Sequence, residues 1–422
     1  MNPPALFAFF RPAFWAQPAR RTALVLLLLV LLGANASAQA PLSGSYTIDS
    51  AQPTGGSNFA SFSAAAAALN TAGVSGPVTF AVSGGPYREQ LRLTAISGAS
   101  ASNRITFNGR GRTIRFGSST DAQRAVVTLD GADYVTLDSL AVDATDGGSN
   151  SSAYGWGILL VNNADHNVIR GCTVTANPGS TSSNFAGIVS GAVATAATTT
   201  GPTASQDLTI TGNTVTGGYY SVAVVGAGPA AATPGIVISR NVLRDFHFYG
   251  IYAAALDGPQ LIGNDISRPT RTTVGVFYGI SLGAGVSSAL VAKNRLHHAF
   301  APAVTATSGV FAMYMSTGAS ATASTPNRIV NNLIYDVGGN GNVYGFYNSS
   351  SSHVHYYHNT LNLDETPNAA TGNVYGLHQT SAVGVEFKNN LVRLNRAGPS
   401  YGIDLSSAAG SISTYYNVLA GS

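Results

Sequence analysis

One phrase recurs along the later half of the chain and limits what it can fold into. It reads YGIYAAALDGPQLIGNDI, YGISLGAGVSSALVAKNRL, YGFYNSSSSHVHYYHNTL, YGLHQTSAVGVEFKNNLV and YGIDLSSAAGSISTYYNVL. Each copy opens aromatic-glycine-apolar and closes on an asparagine with an apolar residue two places on. The interval from glycine to asparagine barely varies: 14 residues from Gly250 to Asn264, 15 from Gly279 to Asn294 and 14 from Gly345 to Asn359. Gly376 to Asn390 and Gly402 to Asn417 span 14 and 15. Where the phrase is stretched, as between Ala312 and Asn332, the extra residues fall in one segment, the pattern of loops inserted on a stacked scaffold.

Carried backwards, the closing position falls on Asn241, Asn213, Cys172 and Leu140. Between these anchors run short stretches of alternating Val, Ile and Thr, bounded by Gly, Ser and Asn, with no helical period. A period of roughly 23 to 38 residues holding three such strands predicts one coil of a parallel β-solenoid. About eleven coils, stacked ~4.8 Å apart, make a rod on the order of 50 Å long. The recurring asparagine has two physical uses. It tolerates the left-handed backbone of a tight turn, and stacked amides can hydrogen-bond from coil to coil. Cys172 and Leu140 in the same slot imply that it faces the interior, so Cys172 reads as a core residue.

At this point the chain resembles the right-handed parallel β-helix proteins of the pectin-lyase-like superfamily, over roughly residues 75 to 422. The entry fits as well. In NFASFSAAAAALNTAG the stripe Phe59, Phe62, Ala66 and Leu69 predicts an amphipathic helix with Ser57 or Asn58 as N-cap and Gly73 at its stop. Helix, strand and Gly-Gly-Pro-Tyr then resemble the family's N-terminal cap. The expected organisation is a signal peptide over 1–38, a cap over 39–100 and coils over 101–422. The chain stops directly after a turn asparagine, so it is expected either to belong to something longer or to self-associate through an uncapped C-terminal coil.

The leader rests on Arg11, Arg20 and Arg21 before the run TALVLLLLVLLGA, and on Ala36 and Ala38 at the small-residue positions. That run is short for a membrane span, so no span is expected in the mature chain. The chain carries 21 basic and 18 acidic residues, three of the basic ones lie before Ala38, and the mature protein is therefore balanced at 18 against 18. Such a balance gives no electrostatic footprint for nucleic acid. One cysteine excludes an intramolecular disulfide.

The stretch SSHVHYYHN groups His353, His355 and His358 like a metal site. Aligning coils on Asn359 instead puts Val354 and Tyr356 inside and His353, His355 and Tyr357 outside. By equivalence, Glu386 and Arg328 flank His355, and Lys388 adjoins Tyr357. This favours an outward polar patch; no metal and no cofactor is expected.

A groove is the better candidate. The strand opening each coil buries the residue after glycine and exposes the next, a row reading Tyr252, Ser281, Tyr314, Tyr347, His378 and Asp404. Tyr252, Tyr314 and Tyr347 can contact sugar rings. His378 and Asp404, one coil apart, can pair as an oriented imidazole. In the resembled family, clefts commonly lie along this sheet, which would bring Asp336, Asp364 and Glu365 in from neighbouring loops. The aromatics before the glycines (Tyr249, Tyr278, Phe311, Tyr344, Tyr375 and Tyr401) are expected to form an inward core ladder.

Two functions stay open. Low charge and Ser/Thr/Gly/Ala richness suit a secreted or cell-surface protein that binds a polysaccharide or cell-surface glycan, or serves as a structural, adhesive stalk. The alternative is a polysaccharide lyase or glycoside hydrolase using His378, Asp404 and Glu365, with Asp364 among the substrate contacts. Lysine, needed against polyuronates, occurs only at Lys293 and Lys388, and the polygalacturonase motifs are missing. If the leader is read correctly, N-terminal sequencing of exported protein returns Gln39; an intact Met1 would refute it.

Overall fold

Strands with apolar residues on one face must bury that face, and stacked coils bury it against each other. The computed structural model describes residues 39–148, 152–319, 321–363, 372–406 and 412–421. From Pro41 onward these form one unit built of three sheets with 14, 12 and 11 strands, called here the first, second and third. One coil runs from Val343–Asn348 in the third sheet to Val354–Tyr357 in the first and Thr360–Leu363 in the second. Its strands pair in parallel with those of the coils before and after. The eleven strands of the third sheet match the expected coil count. The core is continuous from the N-terminal helix to Leu394, and Val354 and Tyr356 are inside it. No described helix is long and apolar enough to cross a membrane.

The closing asparagines form an unbroken ladder. Asn359 is 1% exposed. Its Oδ1 accepts from both the backbone N–H and the Nδ2 of Asn332, each at 2.9 Å. Its own Nδ2 donates to the Ile329 carbonyl at 2.8 Å and to Asn390 Oδ1 at 3.0 Å. The same arrangement links Asn213, Asn241, Asn264, Asn294, Asn332, Asn390 and Asn417, and starts at the backbone N–H of Cys172.

The expected left-handed backbone lies one residue earlier than the asparagine. Arg240, Lys293, Asn331, His358, Asn389 and Tyr416 take φ between 54° and 58°, with Gly171, Gly212 and Gly263 in the equivalent places. The asparagine supplies only the ladder, and its neighbour makes the turn. Cys172 is 1% exposed, and burial pushes its thiol up to about 11, as a core residue requires.

The glycine of the repeated phrase is set by packing. A Cβ on Gly345 would lie 2.2 Å from Leu361 Cδ2 and 2.9 Å from the Gly376 carbonyl. Gly376 meets the Gly402 carbonyl and Val392, and Gly250 meets the Gly279 carbonyl and Ile266, in the same way. The glycine therefore points inward together with the residue after it. This overturns the expected inward ladder: Tyr344 and its equivalents stand outside, on the face that carries Tyr347.

At the N-terminus the helix is Phe62–Ala72, capped by Ser61, whose side chain accepts from Ala64 N, and stopped at Gly73. Neither Ser57 nor Asn58 is the cap. The Asn58 amide is committed to the carbonyls of Asp49, Gln52 and Pro53, and Asn58–Phe59 is a short strand beside Leu42–Asp49. The Glu89 carboxylate accepts from Phe62 N and Ser63 N at 3.0 and 2.9 Å, a charge at the helix start supplied from the bend after the strand Tyr87–Arg88. At the other end Tyr416, Val418 and Leu419 are exposed.

The ladder predicts a sharp contrast between neighbours. Asn359→Leu strands several buried donors and acceptors at about 1–3 kcal/mol each, whereas His358→Gly relieves a left-handed residue and is neutral or mildly stabilising. Urea unfolding midpoints measure both, and equal effects would contradict the division of labour.

Candidate functional site

Turning the aromatic residue outward gives the third sheet a two-column surface. In the first column Tyr220, Tyr249, Tyr278, Phe311, Tyr344, Tyr375 and Tyr401 stack with ring centroids 4.7–5.2 Å apart and planes within 24°. The spacing follows the rung separation of the sheet. In the second column Tyr252, Ser281, Tyr314, Tyr347, His378 and Asp404 pair in register, coil by coil. Rings of the two columns meet nearly edge to face, as in Tyr249–Tyr252 (68°), Tyr278–Tyr314 (81°) and Tyr344–Tyr347 (79°). Such pairs contribute about 0.5–1.5 kcal/mol beyond area burial. The face is therefore a packed ribbon of half-buried rings with its phenol edges outward, and neither column holds a lysine or arginine.

His378 closes one end of the ribbon. Its ring lies 4.7 Å from Tyr347, 5.2 Å from Tyr375 and 5.5 Å from Tyr344. Its Nδ1 is 2.6 Å from Asp404 Oδ2, and its side chain is 13% exposed. With the carboxylate on Nδ1, that nitrogen carries a ring proton and the ring is oriented with Nε2 away from Asp404. Among the described residues Nε2 has no hydrogen-bond partner.

Hydroxyls that sequence reasoning missed line the strand ends. Thr317 Oγ1 and Ser349 Oγ are 3.1 Å apart, and Ser350 Oγ and Thr380 Oγ1 are 2.8 Å apart. The Ser/Thr run after each strand was the available signal. Towards the N-terminus the loop from 191 to 204 closes the face: Ala197 packs with Leu159, Val189 and Ala223, all buried. That loop accounts for the 41-residue spacing between Cys172 and Asn213.

Asp364 and Glu365 lie outside the described residues. Asp336 follows the second-sheet strand Leu333–Tyr335, where its carbonyl accepts from His298 N at 2.7 Å. It has no hydrogen bond to the His378–Asp404 pair.

The histidine stretch makes a closed polar patch on the first sheet. His355 Nδ1 is 3.0 Å from the Tyr357 hydroxyl, which in turn donates to Glu386, itself paired with Lys388 at 2.7 Å. Burial holds the His355 imidazole below its ordinary range. His353 and His358 are left-handed turn residues, both at φ 55°. Among the described residues no group of three His, Cys, Asp or Glu is arranged to hold a metal ion.

The chain matches the family described as "Right handed beta helix region" over residues 202–419, more than half its length. It belongs to that family. No curated protein matches it. Among solved structures, this β-helix is similar to a mutant DFA-IIIase from Arthrobacter chlorophenolicus A6, at 13% identity over 89% of this chain and 94% of that one, with a TM-score of 0.49. It is also similar to the GH136 lacto-N-biosidase from Eubacterium ramulus (11% identity, 95% of this chain, 71% of that one, TM-score 0.46). A third is the periplasmic alginate epimerase AlgG (12% identity, 81% and 77%, TM-score 0.37). At these identities the likeness is one of fold.

Packing of the β-helix ribbon has a pH signature. Burial raises Tyr249, Tyr252, Tyr344 and Tyr347 above the ordinary phenol value, and it pushes Tyr278 up to about 12. Unfolded phenols ionise near 10. Stability is therefore full below pH 10 and falls as pH rises from about 10 to about 12, where the unfolded state binds fewer protons than the native one. Melting midpoints from pH 9 to 11.5 should drop steadily, in a Cys172→Ser background that removes the thiol titrating in the same window. A flat profile would mean that the rings are not packed as described.

Proposed function

We propose that this β-helix is a secreted or cell-surface protein that binds neutral glycan chains lengthwise along the outer face of its third sheet. The observation that carries the reading is the two-column ribbon from Tyr249 to Asp404, with ring edges and phenol hydroxyls repeating at the rung spacing of ~4.8 Å. That repeat is close to the advance of one sugar ring in an extended chain. Ring surface suits sugar C–H groups, and phenol, serine and threonine hydroxyls suit sugar hydroxyls as donors and acceptors. The columns hold one carboxylate, Asp404, and no lysine or arginine, which disfavours a polyuronate.

A second reading rests on the His378–Asp404 hydrogen bond. An imidazole oriented by a carboxylate, with its other nitrogen free, is equipped to take or give a proton beside a bound sugar. It would make the same face the cleft of a hydrolase or lyase, with Glu365 or Asp364 as a further acid.

Affinity electrophoresis on immobilised neutral polysaccharides separates the two. Tyr314→Ala with Tyr347→Ala should weaken retention at least tenfold, about 1.4 kcal/mol, and His355→Ala should leave it intact. If His378→Ala retains the glycan while new reducing ends cease to appear, the enzymatic reading stands. Retention lost in His355→Ala and kept in the tyrosine double variant would move the site to the first sheet.

A further inference from the structure

Beside the loop from 191 to 204, on the first coils of the third sheet, lies a second concave site. On the outer face of the third-sheet strands Leu91–Thr94, Ala125–Asp130 and Gly155–Val161 lies a cleft of about 230 Å³, edged by Ala194 of that loop. Ala197 of the same loop is buried in one apolar cluster with Leu159, Val189 and Ala223. Beneath the cleft Ala125, Leu159 and Val161 are buried, and Thr128 sits between Arg92 and Leu159 on the neighbouring strands.

Its walls are polar and matched. Asp130 accepts from the Arg92 guanidinium through Oδ2 and from Asn162 Nδ2 through Oδ1, both at 2.5 Å. Arg124, 6% exposed, pairs with Asp121 and lies over the Trp156 ring at 4.5 Å and the Tyr154 ring at 5.0 Å. Two guanidinium groups thus face two carboxylates, so the site carries no net charge to select an ion. It offers adjacent donors and acceptors, which complement the vicinal hydroxyls of a sugar. The volume has room for about one ring, and a longer chain would have to leave through the open side.

We propose that this cleft is a carbohydrate site holding a single neutral sugar unit, separate from the aromatic ribbon and independent of whether the ribbon binds glycan. A concave lining, the preformed Asp130 network and the buried Arg124 are three features that a purely structural ion pair on a strand surface would not need.

Saturation-transfer difference NMR on the full protein, with a panel of neutral hexoses, N-acetylhexosamines and glucuronate, tests it. At least one neutral sugar should bind saturably and in preference to glucuronate, and should change the emission of Trp156, the only tryptophan after Trp15. Ala194→Phe, which adds bulk at the rim, and Arg92→Ala, which opens the network, should each weaken that binding at least tenfold. Circular dichroism checks that both remain folded. The Tyr314→Ala, Tyr347→Ala variant should bind the sugar as the wild type does. Absence of saturable binding by every neutral sugar would overturn the proposal, as would wild-type affinity in folded Ala194→Phe and Arg92→Ala. Binding lost only in the tyrosine variant would overturn it too, while leaving the ribbon reading in place.

Discussion

The asparagine ladder does in this chain what a disulfide framework or a metal does in others. Each side-chain oxygen accepts two hydrogen bonds from the preceding coil, and each amide nitrogen reaches back to a carbonyl. From Asn213 to Asn390 these groups are buried, so a coil out of position would leave them unpaired at about 1–3 kcal/mol apiece. Sliding a strand by one residue would also turn its apolar face outward. Register is thus held twice, by amides at one corner and by alternation along the strands. Every lateral feature of the surface inherits that alignment.

The third sheet shows the consequence. An inward glycine is required because Leu361 and the next coil's backbone occupy the space where a Cβ would sit at Gly345. With glycine and Phe346 both turned in, Tyr344 and Tyr347 turn out on the same side, and stacking repeats this coil after coil. The aromatic ribbon is therefore a by-product of core packing as much as a surface chosen for ligands. His378 and Asp404 meet at 2.6 Å for the same reason: they are the second-column residues of adjacent coils.

Much of this was legible in the sequence because the solenoid repeats its rules. The interval from glycine to asparagine located the coils, period two sorted Val354 and Tyr356 inward, and equivalence placed Glu386 and Arg328 around His355. What escaped was non-local. Alternation alone put Tyr344 inside, since nothing in one strand reveals that the glycine faces Leu361 across the coil. The helix cap was misplaced because Asn58 serves a turn with Asp49, and the charge at the helix start comes from Glu89. The strand Leu42–Asp49 has too few buried positions to show a period. The cleft at Arg92 and Asp130 joins side chains 38 residues apart.

Radical footprinting with mass spectrometry addresses the central claim most directly, because it reads each tyrosine separately. In the free protein, Tyr344, Tyr347 and Tyr375 should be labelled and Tyr356 of the core should not. Addition of a retained neutral glycan should protect the first three together, leaving Tyr335 on the second sheet and Tyr357 on the first unchanged. Unlabelled Tyr344 and Tyr375 in the free protein, or equal protection of all three sheets, would contradict the account.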